Sequence, residues 1–348
     1  MKIQNDLFLR ACRRQAVERT PIWVMRQAGR YLPEYRAVRE KADFLTMCKT
    51  PELASEVTIQ PVDIIGVDAA IIFSDILVIP EAMGLKLEMH EGKGPIFHNP
   101  VRTKDDAKSL KVIDPYKDLK YVLDAVKVTK EALQGRVPLI GFSGSPWTLL
   151  TYMVEGRGSK NFSLIKKMIY DEPRLAHELL EMISKAVADY LSAKIEAGVN
   201  AVQIFDTWGG ILAPDDFREF SLQYITRVIS ELKKKDEPVI VFAKGVHYNI
   251  GELADSGADV LGLDWTMDLG SVRKLVGSKV ALQGNMDPCV LYANQDVIRK
   301  RAMDVMRSYG EGTGHVFNLG HGILPDVDPE NLKALVRIVK EESAEFHK

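Results

Sequence analysis

The chain has 348 residues, 46% of them hydrophobic and 27% charged, which is ample apolar material for a core and no bias toward disorder or fibre. A formal net charge of −2 excludes a global basic field for nucleic acid or an acidic membrane, so any cationic site must be local. Three scattered cysteines (Cys12, Cys48, Cys289), no apolar signal core in Met1–Asp6 and no apolar run of spanning length lead us to expect a soluble cytoplasmic protein without disulfides.

Asn5 to Val17 has the spacing of an opening helix, and Ile22 to Met25 reads as a first strand. The strand runs out into Arg26-Gln27-Ala28-Gly29-Arg30. If Gln27 to Arg30 turn as a helix start, the two arginines lie near one face, and Pro33 limits how far that helix runs. Pro51 to Ile64 is a helix with proline at its start. Val67 to Phe73 is a nearly continuous apolar run, as suits a parallel strand buried on both faces. Between Ile79 and Val101 the pattern breaks. Leu85, Leu87 and Met89 alternate with Lys86 and Glu88, Glu91-Gly92-Lys93-Gly94 makes a turn, and the stretch predicts an inserted hairpin.

Strand and helix then alternate to the end. Strands are expected at Val137–Phe142, Ala201–Phe205, Val239–Phe242, Val260–Leu263, Lys279–Gln283 and Val316–Leu319. The helices between them run over Leu119–Gln134, Ser145–Pro146 onward, Asp171–Ala197, Asp215–Lys234, Ile250–Ser256, Ser271–Val276, Gln295–Ser308 and Pro329–Phe346. Eight strand candidates, each followed by helix, force parallel pairing and predict a single-domain (β/α)8 TIM barrel over residues 1–348, with an inserted hairpin after the second strand. A doubly wound open sheet is the alternative.

In a barrel the active groups sit just past the strands. Those positions hold Arg26 and Arg30, Ser74-Asp75, Ser143-Gly144-Ser145, Asp206-Thr207, Lys244-Gly245, Asp264-Trp265, Asn285-Met286-Asp287 and Gly320-His321-Gly322. Two arginines match carboxylates or phosphates bidentately, unless they are merely solvated loop residues. Asp75 among apolar neighbours is either a carboxylate held by backbone amides or a working one. His321 between glycines is either a ligand contact or a core histidine, and Tyr152 either a contact or core packing. No close His/Cys pair offers zinc ligands, and no nucleotide-binding glycine loop or Gly-x-Ser-x-Gly elbow is present.

Arg26-Gln27-Ala28-Gly29-Arg30-Tyr31-Leu32-Pro33-Glu34 resembles the signature of the uroporphyrinogen decarboxylase family. Phe73-Ser74-Asp75-Ile76-Leu77 and Gly320-His321-Gly322-Ile323 also resemble motifs of that family, and the likeness runs from about Asn5 to Val339. It implies a tetrapyrrole substrate with four acetate and four propionate arms, decarboxylation of the acetates without a cofactor, and a homodimer with facing sites. It also implies that Asp75 stabilises a cationic pyrrole intermediate and that Arg26 and Arg30 bind carboxylate arms. Gln27, Ala28, Gly29, Tyr152, Thr207 and His321 fall at substrate-contacting positions, with Thr207 where some members carry serine. Phe44 and Leu77 are expected to form an apolar floor, and Arg36 and Arg39 to extend the arginine patch. The general acid stays open, since a free guanidinium with a pKa above about 12 is a poor acid.

Three rivals stand beside this reading. A Schiff-base lyase would use Lys244 as nucleophile. A corrinoid-linked methyltransferase would need a zinc thiolate site that Cys289 alone does not make. A tetrapyrrole carrier would keep the arginines and have no use for Asp75.

Overall fold

The computed structural model describes residues 2–90 and 94–347. Its strands are β1 (Ala70–Ile71), β2 (Leu87–His90), β3 (Gly94–Phe97), β4 (Leu139–Gly144), β5 (Ala201–Asp206), β6 (Val239–Ala243), β7 (Val260–Gly262), β8 (Ala281–Gln283) and β9 (His315–Val316). Among the described residues, seven of them form one sheet in the order β1-β4-β5-β6-β7-β8-β9, every neighbour parallel. Helices fill the connections, as parallel pairing requires. One cluster of buried residues reaches from Phe8 to Val339.

The expected first strand is not a ladder. Ile22 makes a single parallel bridge to Phe317. Side chains take the N–H groups that a ladder would use. Ile22 N donates to Asp68 Oδ2 (2.9 Å), Val24 N to Gln27 Oε1 (3.2 Å) and Met25 N to Asn318 Oδ1 (3.0 Å). The segment still closes the ring. Phe317 N donates to Pro21 O (2.9 Å) on one side and Asp68 N to Ile22 O (2.8 Å) on the other. Seven strands and this eighth segment give the TIM-type barrel.

β2 and β3 pair antiparallel, Leu87 with Phe97 and His90 with Gly94, as the alternation predicted. Glu91 to Lys93 of the expected turn lie outside the described residues. The insertion opens with a short helix, Val78–Ala82, where hairpin was expected.

Most helices start where the sequence signals them. Pro51–Ile64 and Pro146–Glu155 both have proline in the first turn, and Ser145 Oγ accepts Thr148 N at 3.0 Å as the N-cap. The expected helix Asp215–Lys234 is interrupted. Pro214–Phe217 and Gln223–Glu231 flank a π-helical turn, Arg218–Leu222, in which Ser221 Oγ reaches Asp206 Oδ2 at 2.7 Å. Among the described residues no helix is long and apolar enough to cross a membrane.

Candidate active site

The arginine loop is a turn and not a helix start. Arg26 sits in the left-handed region (φ 63°), and Gln27 N bonds back to Val24 O at 3.1 Å. A Cβ on Gly29 would stand 2.8 Å from Arg26 O, so the turn needs glycine there. Pro33 opens the helix Pro33–Arg39 where it was expected to limit one. Arg26 and Arg30 are therefore presented by a loop, and both are exposed.

The loop is held from inside. Gln27 is fully buried and its Nε2 donates to Ala69 O at 3.0 Å, tying the loop to β1. Arg36 turns back and its Nη1 donates to Arg30 O (2.7 Å) and Tyr31 O (3.1 Å). Arg39 Nη1 donates to Ala42 O at 3.0 Å. Arg36 thus supports the loop that carries Arg30. In sequence the two arginines look alike.

Arg26 crosses from the first barrel position to the last. A Cβ on Gly322 would collide with Arg26 Cδ and stand 2.7 Å from its Cγ, so the missing side chain at Gly322 is the bed on which the arginine lies. His321 beside it is half-buried. Desolvation, with Arg26 and Lys244 adding to it, lowers its pKa to about 4, so its imidazole is neutral at physiological pH.

Asp75 follows β1 and is half-buried. Its Oδ1 accepts Leu77 N at 2.7 Å, and among the described residues Oδ2 has no protein donor. Burial raises its pKa above the ordinary carboxyl value, the Leu77 amide and Arg26 oppose that rise, and Glu81 adds to it. Tyr152 feels both Asp75 and Arg26, and its ring lies 6.1 Å from Trp208. Phe44 meets Phe73 edge-on at 5.5 Å, giving an apolar wall, whereas Leu77 is buried in the core. Thr207 is half-buried just past β5, and Ala28 is half-buried in the arginine loop.

Other strand-end polar groups are turned to the scaffold. Asp206 is fully buried and accepts Ser145 Oγ (2.6 Å), Thr148 Oγ1 (2.9 Å) and Ser221 Oγ (2.7 Å). Asp264 accepts Gly245 N (2.6 Å) and Thr266 N (2.8 Å). Asn285 Nδ2 donates to Asp264 O and Met267 O, both at 2.8 Å. Among the described residues, the strand-end side chains without an internal hydrogen bond include Arg26, Arg30, Ser74, Thr207, Lys244 and His321, together with one oxygen of Asp75. Such a mouth brings cations and one half-satisfied carboxylate together beside half-buried rings. Among the described residues no cluster of three His, Cys, Asp or Glu has metal-binding geometry.

A sequence profile described as Uroporphyrinogen decarboxylase (URO-D) matches residues 3–342. The chain belongs to the uroporphyrinogen decarboxylase family. It is 58% identical over 350 residues to a uroporphyrinogen decarboxylase from Chloroherpeton thalassium, covering 99% of both chains. It is 54% identical over 352 residues to one from Hydrogenovibrio crunogenus, covering 100% of this chain and 99% of that one. Among solved structures it is similar to a methyltransferase from Methanosarcina mazei. The TM-score is 0.83 and the identity 22%, over 98% of this chain and 99% of that one, a likeness of fold alone.

Proposed function

We propose that the protein removes CO2 from the four acetate arms of uroporphyrinogen III, leaving methyl groups and giving coproporphyrinogen III in haem biosynthesis. Family membership over nearly the whole chain supports the reaction class. The observation that carries the residue roles is Asp75: a half-buried carboxylate with one oxygen unpartnered, in a mouth otherwise supplied with cations.

Breaking the bond between an acetate CH2 and its carboxylate leaves an electron pair that needs a sink. Protonation of the pyrrole makes the ring that sink. The pair moves into the ring as CO2 leaves, the exocyclic carbon then takes a proton to become methyl, and the ring proton is given up. One proton is consumed per CO2. Asp75, fixed in a poorly solvated mouth, stabilises the ring cation as it develops, and preorganised charge of this kind contributes about 3 kcal/mol or more. Arg26 and Arg30 hold carboxylate arms, at roughly 1.5–3 kcal/mol per hydrogen bond to a charged group. Tyr152, Thr207, Phe44 and neutral His321 complete the contact surface, with the backbone of Gln27, Ala28 and Gly29 at the loop. The mechanism needs no cofactor. Residues 1–348 act as one barrel domain, and two copies pair with their mouths facing. The Schiff-base alternative at Lys244 is not favoured by the family to which the chain belongs.

The test is anaerobic incubation with uroporphyrinogen III and nothing added, with products then oxidised and sorted by carboxylate number. Species with seven, six, five and four carboxylates are expected. Unchanged eight-carboxylate material from folded protein overturns the reading.

A further inference from the structure

Resting on that reading, we propose that Lys244 is a further carboxylate-gripping residue, a second cationic pole of the mouth set across the barrel from Arg26. The placement comes from topology. Arg26 follows the segment that closes the ring between β9 and β1, and Lys244 follows β6. Counted either way round, the two strand ends are four positions apart in a ring of eight, which is a diameter.

The backbone at Lys244 is fixed from both neighbouring strand ends. Lys244 N donates to Asp206 O at 3.1 Å, and Gly210 N donates to Lys244 O at 2.9 Å. A Cβ on Gly210 would stand 2.5 Å from Lys244 O, so glycine there permits the close approach. The next amide, Gly245 N, is held by Asp264 Oδ2 at 2.6 Å. A lysine carried this rigidly, and half-buried, would ordinarily have an internal anion. It has none. Asp264 is the carboxylate of the adjacent strand end, and its oxygens already accept from Gly245, Thr266 N and the Thr266 hydroxyl.

The side chain leans inward. Lys244 Nζ is 5.6 Å from the ring centroid of Trp265, and the same indole meets His321 edge-on at 6.4 Å. Trp265 is 38% exposed, an apolar face at the mouth for which the core offers no cover. A Cβ on Gly320 would collide with Trp265 N, so the last strand end is shaped to let this segment in. An ammonium, an open indole and a neutral imidazole thus share one side of the mouth. That combination recognises a carboxylate arm hanging from a flat ring edge. His321 also feels the charge of Arg26, so the two cations, rooted on opposite strand ends, flank the same imidazole, and a carboxylate arm lying over it is gripped from both sides.

The test compares wild type, Lys244→Met and Lys244→Arg as full chains, with steady-state turnover of uroporphyrinogen III and, separately, a binding titration with oxidised uroporphyrin. For Lys244→Met we expect KM and the uroporphyrin Kd to rise by about tenfold or more while kcat stays within about threefold. Lys244→Arg, which keeps the charge, restores both to near wild type. Unchanged KM and Kd in Lys244→Met overturns the proposal. So does a collapse of kcat with KM unchanged, or failure of arginine to rescue, since either would mean chemistry particular to the lysine. If wild type does not decarboxylate but Lys244→Met still weakens uroporphyrin binding, the decarboxylase reading falls and the grip stands.

Discussion

Asp75 and Asp206 both stand at the C-terminal end of a parallel strand, Asp206 as the last residue of β5 and Asp75 in the loop after β1, and burial raises the pKa of both. Their surroundings differ. Three hydroxyls point at Asp206, and a Cβ on Gly209 would collide with its Oδ2. Asp75 accepts one backbone amide. A buried carboxylate that is fully hydrogen-bonded ties elements together, here β5, the helix Pro146–Glu155 and the π-helical turn. A desolvated carboxylate left half-satisfied, as Asp75 is, is costly unless a ligand uses it. Residue type and position along the barrel do not separate the two roles. Saturation does.

The largest effect that would break or sharpen this contrast is at Asp75. Asp75→Asn should lower kcat by about 10²–10³-fold, as losing one preorganised electrostatic group does. The sign for stability is opposite. A carboxyl whose pKa is raised on folding contributes stability below its unfolded value, near 3.8, that is lost as pH rises through the folded value. At pH 7 the ionised group therefore weighs against folding, and the amide should leave the Tm equal or higher. Turnover near wild type, with products sorted by carboxylate number, would sink the role given to Asp75.

Asp206→Ala should show the reverse pattern. The hydroxyls of Ser145, Thr148 and Ser221 lose their acceptor, at a cost of about 3 kcal/mol. The urea midpoint should fall while kcat per folded molecule stays near wild type. A stable Asp206→Ala with collapsed kcat would erase the distinction between the two carboxylates.

How much of this was legible in the chain follows from how far each interaction reaches. Local signals worked: Pro51 and Pro146 start helices as expected, and the Leu87–Phe97 alternation gives a hairpin. Long-range acceptors did not announce themselves. Asp68 and Asn318 take the amides of Ile22 and Met25 and turn an apolar strand-like run into a bridge. The site had the same limit. Its strand-end residues could be named from the barrel pattern, but not which of them face inward. Gln27 stands in the middle of the arginine motif and is buried against Ala69, and Arg36 is indistinguishable in sequence from Arg30, whose carbonyl it holds. For Asp75 the sequence left two readings open; the Leu77 amide fits a carboxylate held by backbone, and an Oδ2 with no donor among the described residues leaves room for a working one.

A smaller effect tests the arginine side of the mouth. In Gly322→Ala the new methyl would occupy the bed of the Arg26 side chain, which must then move. KM should rise by about fivefold with kcat little changed, because uniform binding is lost and the developing charge is still met by Asp75. An unchanged KM would mean that Arg26 is not held in its working position by this contact.

The smallest expected effect concerns pH, and it again sets Asp75 apart. His321, with a pKa lowered to about 4 from 6.5, stays neutral across the range in which an ordinary histidine titrates. Asp75 titrates above its ordinary 3.8. The acid limb of kcat/KM, which reports the free enzyme, should therefore follow Asp75. His321→Gln should raise KM and leave the position of that limb unmoved. Stability offers an independent reading of the same imidazole. A histidine depressed on folding contributes stability above its unfolded pKa, near 6.5, that is lost as pH falls toward about 4. The thermal stability of His321→Gln should then fall less steeply than wild type between pH 6.5 and about 4. If the acid limb moved with the substitution while that steepness did not, His321 would be the titrating group of the reaction and Asp75 would not.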